Sequence, residues 1–151
     1  MKLIGILITT LVLLSNVSHA DDSDDTLRIF LSKSDLVVLG TIVTEPTGIT
    51  SELGVLNYIC QFKVSDVCKG NVELKGETIR ANIKRFEMGK KDHHPLIKKD
   101  AECILFLKKE VEGTNPQWVT ADFWFGIQHP IPWMAKSLKR LAKDKPSEPY
   151  K

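Results

Sequence analysis

Short strand-like segments separated by turn residues are the feature that most limits the folds open to this chain. Five segments are rich in β-branched or alternating apolar residues, and they lie at residues 35–45, 55–67, 78–84, 101–109 and 117–121. The segments that could form helices are too few and too short to connect the strands of a parallel sheet. The pattern therefore predicts a mainly β protein, built as a small five-stranded barrel.

Two of these segments predict different surroundings. In the second, apolar side chains share one face while polar ones fall mostly on the other, which indicates one buried and one hydrated face; the apolar set is Tyr58, Cys60, Phe62 and Val64. Residues 101–109 are apolar almost throughout, as expected of a central strand buried on both sides. Gly40, inside the first segment, predicts a bulge or a sharp bend.

Two short amphipathic helices are predicted to flank the barrel in sequence, one N-terminal and one C-terminal to the strands. Residues 25–34 place Leu27, Phe30 and Leu31 at helical spacing, and a second helix begins at Pro132. The segments between the predicted elements, which include residues 47–54, 85–99 and 122–132, are expected to be loops or irregular structure.

The first twenty residues have the three parts of a cleavable signal peptide. Lys2 is followed by an uncharged run from Leu3 to Leu14, and Ser18-His19-Ala20 ends the segment with small residues at the two positions that a signal peptidase reads. A retained membrane anchor is the alternative, but the run is well short of the roughly 20 residues that a spanning helix needs. We therefore expect an exported protein, periplasmic or secreted, that does not span a membrane after cleavage.

Cleavage after Ala20 would leave one domain at residues 21–144 and a flexible tail at residues 145–151. Of the 21 basic residues only Lys2 is lost while all 19 acidic residues stay, so the net charge becomes +1. A nearly neutral domain argues against nucleic acid as the main partner.

Three cysteines remain in that domain, Cys60, Cys68 and Cys103. Cys60 and Cys68 lie on one predicted strand, where eight extended residues span about 26 Å, far beyond disulfide reach. Cys103 can meet either of them, and Cys60 with Cys103 is the candidate bridge for an oxidising compartment. Three buried thiols that behave as small apolar side chains are the equal alternative.

The order of these elements resembles bacterial exported proteins similar to the netrin-like module and the tissue inhibitors of metalloproteinases. The resemblance spans roughly residues 34–126 and rests on loose motifs of apolar strands punctuated by glycine, namely residues 34–43, 62–70, 76–79 and 95–107. It implies an OB-like barrel, which hosts many unrelated binding functions. Those inhibitors act through a cysteine at the mature amino terminus, whereas Asp21 is expected there, so that mechanism is not carried over.

Two groups of side chains are candidate sites. His93 and His94 follow Asp92 in a basic loop, and with His129 they could ligate zinc or copper, although a solvated polar loop is the favoured interpretation because too few fixed ligands are visible. Trp124 and Phe125 precede a Pro-rich stretch and could form an exposed platform for a peptide or a glycan; the favoured alternative is that they plug the barrel under the last helix.

The sequence therefore predicts an exported, non-enzymatic binding domain whose partner is an unknown protein or glycan. It contains no GxSxG, HExxH or CxxC motif and no phosphate-binding glycine loop, and no cofactor is predicted. A metal-binding protein or metal-dependent enzyme using the His93–His94 loop is the first alternative. A protease inhibitor, suggested by the resemblance, is the second.

Overall fold

The computed structural model describes residues 23–50, 54–86, 94–112 and 115–144. The predicted signal peptide and the predicted tail lie outside these ranges. Helix α1 is described at residues 23–32, and α2 covers Pro132–Lys143. The strands are β1 (Leu36–Ile42), β2 (Thr47–Thr50), β3 (Val55–Lys69), β4 (Thr78–Phe86), β5 (Glu102–Glu112), β6 (Asn115–Thr120) and β7 (Ile127–Gln128), with a 3-10 turn at Val72–Leu74. The prediction of a mainly β protein with two helices is confirmed.

Five strands pair in a closed ring. The order is β1, β3, β4, β6 and β5, and β5 returns to pair with β1. All of these pairs are antiparallel except β4 with β6, which run parallel and match over only two residue pairs, Ala81 with Trp118 and Asn82 with Val119. The ring therefore has one short, weakly paired seam.

The core has two layers because strand residues alternate between the two faces of a sheet. One layer fills the inside of the ring and includes Phe62, Ile83 and Leu105. The other lies between the outside of β1 and β5 and the two helices; it includes Phe106 and Leu138. Strand β5 contributes to both layers, which confirms the prediction of a central strand buried on both sides.

Gly40 stands where two backbones come close together. The pairing register between β1 and β3 shifts between Leu39 and Gly40, as the predicted bulge requires. A Cβ atom at this position would lie 2.0 Å from the carbonyl oxygen of Lys63 and 2.8 Å from the ring of Phe62. Glycine is therefore needed here for close approach.

Two of the predicted irregular segments contain strands of their own, and a third, residues 85–99, begins with the last two residues of β4. Residues 47–54 were expected to be a loop, but Thr47–Thr50 forms β2 and pairs with Leu56–Ile59 of β3. Ile127–Gln128 forms β7 beside β5 within residues 122–132. Both strands are short and take their hydrogen-bond partners from neighbours, which explains why their own sequence pattern does not reveal them.

Helix α2 is held by ion pairs with β3 and α1. Lys139 donates a hydrogen bond to Asp66, and this bond is the main reason that the pKa of Asp66 lies below its usual value. Arg140 pairs with Asp24 at 2.6 Å, and Asp144 pairs with Arg28 at 3.3 Å. Within the described residues, no helix has the length and apolar content that crossing a membrane requires.

Candidate ligand-binding groove

The outward face of β3 and β4 carries a row of polar side chains beside the β4–β6 seam. On β4, Ile79, Ala81 and Ile83 point into the ring, so Arg80, Asn82 and Lys84 point outward. The outward residues of β3 lie opposite them, with Asn57 paired to Lys84, Ile59 to Asn82 and Gln61 to Arg80. The register of one hairpin thus gathers these side chains.

Two adjoining hollows lie along this face, with volumes of about 470 and 560 Å³. They share four lining residues, Ile59, Arg80, Asn82 and Gln117. These four residues, together with Asn57 and Lys84 of the larger hollow, form a surface that we call the outer groove. The groove lies over the β4–β6 seam, where the backbone pairing covers only two residue pairs.

An amide pair forms part of the outer groove. Asn82 Nδ2 donates to Asn57 Oδ1 at 3.4 Å. Asn82 Oδ1 is buried and accepts no hydrogen bond within the described part of the chain. A buried acceptor without a donor costs about 1–3 kcal/mol, so this position favours any group that supplies one.

Two ion pairs that share Glu110 close the side of the outer groove toward β5. Lys84 Nζ lies 2.8 Å from Glu110 Oε2, and Lys108 Nζ lies 3.2 Å from Glu110 Oε1. The hydrogen bond from Lys84 is the main reason that the pKa of Glu110 lies below its usual value. Glu110 thus neutralises one of the two lysine charges at this wall.

An exposed aromatic cluster stands at one end of the outer groove. Phe86 follows Lys84 by two residues on β4; its ring centroid lies 4.3 Å from that of Phe123 and 6.1 Å from that of Trp124. Phe86 is 42% exposed and Trp124 is 68% exposed. We call Phe86, Phe123 and Trp124 the aromatic platform.

The structure separates the two aromatic residues that were predicted to form a partner surface together. Trp124 is exposed, but Phe125 is only 7% exposed and stacks on Phe30 with 4.2 Å between ring centroids. Phe125 also meets the edge of Phe106, so it belongs to the layer under the helices and is not available to a partner. The two adjacent residues thus face opposite sides, Trp124 toward solvent and Phe125 toward the core.

The predicted metal ligands do not form a described cluster. His94 is half-buried, and its Nδ1 accepts a hydrogen bond from the backbone N–H of Leu96 at 3.2 Å. His129 is exposed near the end of β7, and His93 lies outside the described residues. Among the described residues, no three His, Cys, Asp or Glu side chains are placed to share a metal ion.

The structure places Cys60 and Cys103 in the same core layer inside the ring, as free thiols. Burial raises the pKa of Cys103 to about 12, and the neighbouring Cys60 adds a smaller contribution. Burial likewise raises the pKa of Cys60 to about 11. Cys68 lies in the other core layer, under the helices, so the candidate bridge between Cys60 and Cys103 stays a prediction and a link from Cys60 to Cys68 is not favoured.

The reduced, folded protein should resist alkylation of all three thiols. Alkylating reagents such as iodoacetamide react with thiolates. Burial blocks access to the thiols and also raises their pKa, which for Cys68 rises to about 11. We expect iodoacetamide labelling at pH 8, followed by intact mass measurement, to be at least about a hundredfold slower than in guanidinium. Labelling of the native protein within tenfold of the denatured rate would contradict the burial of these side chains.

Most residues of the outer groove were missed by sequence reasoning. Asn57, Arg80, Asn82 and Gln117 come from three strands and are ordinary polar residues at hydrated strand positions. The alternation of polar residues on β3 is visible in the sequence. The sequence does not show which strands lie beside β3 and complete the groove.

Comparison with known proteins supplies no relative for this chain. No family model, no curated protein and no solved structure matches it. The resemblance to the netrin-like module therefore stays a prediction, and the function has to be argued from the groove.

Proposed function

We propose that this protein is an exported, non-enzymatic binding domain that uses the outer groove to hold its ligand. The observation that carries the proposal is the convergence of amide and guanidinium side chains beside an exposed aromatic platform, all supported by one sheet. Recognition sites commonly combine a concave surface with a few such polar groups. Rigid strands also keep these groups in position before the ligand arrives, which lowers the entropic cost of binding.

An OB-like barrel is the fold that we propose for the ring. The first ring strand pairs with the second and the fourth, and the third runs parallel to the fifth; this cyclic order supports the proposal. In OB folds the face of the second and third strands is the usual binding face. Those strands correspond to β3 and β4, which carry most of the outer groove.

Export is the part of the proposal that rests on residues 1–20 alone. Their basic start, uncharged run and Ser18-His19-Ala20 ending support cleavage after Ala20. The ligand would then be a molecule found outside the cytoplasm.

The proposal is tested by expressing the full chain with a C-terminal tag in a bacterium and purifying it from the periplasm and the medium. Intact mass measurement should give a chain that begins at Asp21, and extracts of the exported fraction should contain a ligand that the protein retains. An R80A/N82A variant should lose that ligand, because it removes two groove side chains while the core stays intact.

The matched control is K136A, which removes an exposed side chain from α2, outside the outer groove. It should retain the ligand as the unaltered protein does. Retention of no ligand by the unaltered protein, or equal retention by R80A/N82A, would count against a binding function at the groove. A chain that keeps residues 1–20 and stays in the cytoplasm would contradict export.

A further inference from the structure

The chemistry of the outer groove identifies a class of ligand. The inference rests on the proposed function, since it asks what a ligand in that groove must look like. Three properties of the described residues bear on it: the amide side chains, the balance of charge and the position of the aromatic platform.

The amide side chains favour a ligand rich in hydroxyl groups. Asn57, Asn82 and Gln117 each offer a planar group that both donates and accepts, which matches neighbouring hydroxyls that do the same. Asn82 Oδ1 is an acceptor that no described residue satisfies. Because this oxygen is buried, a ligand hydroxyl beside Asn82 would supply the missing donor once the amide turns toward the groove.

The charge of the outer groove favours an acidic ligand. Lys84 and Lys108 share Glu110, at 2.8 and 3.2 Å, so one of their two charges stays unbalanced. Arg80 is exposed, lines both hollows and forms no ion pair within the described residues. The guanidinium charge of Arg80 is thus uncompensated among the described residues, and its planar fork fits a carboxylate through two parallel hydrogen bonds.

The aromatic platform favours a ligand with a flat apolar face. Arg80 and Phe86 are six residues apart on the outward face of β4, which corresponds to about 20 Å at roughly 3.3 Å per residue. Sugar rings present C–H groups on one face, and an exposed indole such as Trp124 offers a broad surface against which they can pack. A ligand that reaches both ends of this strip must be a chain of several rings.

We infer that the outer groove binds an acidic oligosaccharide. A uronate carboxylate binds Arg80, hydroxyl groups bind the amides of Asn57 and Asn82, and a ring toward the other end packs on Trp124. A nucleic acid strand requires a series of cations along its backbone, and within the described groove Arg80 with the one excess lysine charge at Glu110 provides only two. A protein partner would require a larger apolar centre than Ile59 provides between the polar side chains, since Val119 is buried.

The test is titration calorimetry of the full chain, after export, with short soluble oligosaccharides. Each uronate-containing probe is paired with its methyl ester, which keeps the rings and hydroxyls but removes the charge. We expect binding of at least one acidic probe and at least about tenfold weaker binding of its ester, because a hydrogen-bonded charge is lost. R80Q should weaken binding of the acidic probe by a similar factor and should leave binding of the ester unchanged.

Two tryptophan variants make the second arm. W124A should weaken binding by about tenfold, because it removes the stacking surface. W133A is the matched control, since Trp133 is also exposed, at 51%, but belongs to α2 and not to the groove or the platform. It should bind as the unaltered protein does, and far-UV circular dichroism should show that every variant is folded.

The outcomes separate this inference from the proposed function. Equal binding of acid and ester, or no effect of R80Q, would overturn the acidic assignment. If no oligosaccharide binds but R80A/N82A still abolishes retention of a protein from the exported fraction, the ligand class is wrong while the groove stands. If neither an oligosaccharide nor any groove-dependent partner is found, both proposals fail.

Discussion

Replacing Gly40 with alanine should destabilise the protein by about 3 kcal/mol or more, which is near the upper end of the range for overpacked interiors. The added methyl group would lie 2.0 Å from the carbonyl oxygen of Lys63 and 2.8 Å from Cε1 of Phe62. Neither neighbour can yield easily: the carbonyl belongs to a paired strand, and Phe62 is fully buried in the ring. Strands β1 and β3 would have to separate at the bulge.

Chemical denaturation followed by far-UV circular dichroism measures this loss. G54A is the matched control, because a Cβ atom there meets no atom of the described residues within 4 Å, whereas its positive φ of +70° opposes alanine. That conformational cost is about 1–2 kcal/mol. A G40A variant that is no less stable than G54A would show that the two strands do not approach as closely as described.

Truncating Phe106 to alanine should cost about 3–5 kcal/mol, the usual range for a fully buried phenylalanine. Its ring is inaccessible to solvent and meets Phe30 of α1 edge-on, with 5.6 Å between centroids. It meets Phe125 in the same way at 5.8 Å. The variant leaves a cavity between the sheet and the helices, so both transfer energy and packing are lost.

F106A should destabilise the packing of the two helices more than it destabilises the ring of strands. Helices α1 and α2 cover the layer to which Phe106 belongs, so amide hydrogen exchange should accelerate in residues 23–32 and 132–143 more than in β3 and β4. F86A is the matched control, since Phe86 is 42% exposed, and it should cost about 1 kcal/mol. Equal losses for F106A and F86A would contradict the two-layer core.

The elements that sequence reasoning located well are those whose own pattern is strong. The apolar run at residues 101–109 became β5, buried on both faces. Cys60, Phe62 and Val64 do share the inward face of β3, and Gly40 does mark a bulge. In each case the burial or the close backbone contact restricts which residue type fits at that position, so the constraint is visible in the sequence.

The features that sequence reasoning missed form only through contacts with other segments of the chain. Strand β2 is formed by pairing with β3, and Phe125 enters the core because Phe30 and Phe106 meet it there. Trp124, one residue away, is exposed. Two adjacent aromatic residues of a turn have no periodicity that would assign one to the core and the other to the surface.

The alternation of apolar residues and the placement of turns thus determined by themselves that the chain is mainly β with a helix near each end of the described fold. The first twenty residues likewise predict export from their own composition. Only the tertiary structure decided that β4 runs parallel to β6, that the ring closes through β1 and β5, and that the outer groove exists. Hydrophobic patterning selects which face of a strand is buried, but the order in which strands pair is set by packing between distant segments, and a site assembled from three strands has no signal in any one of them.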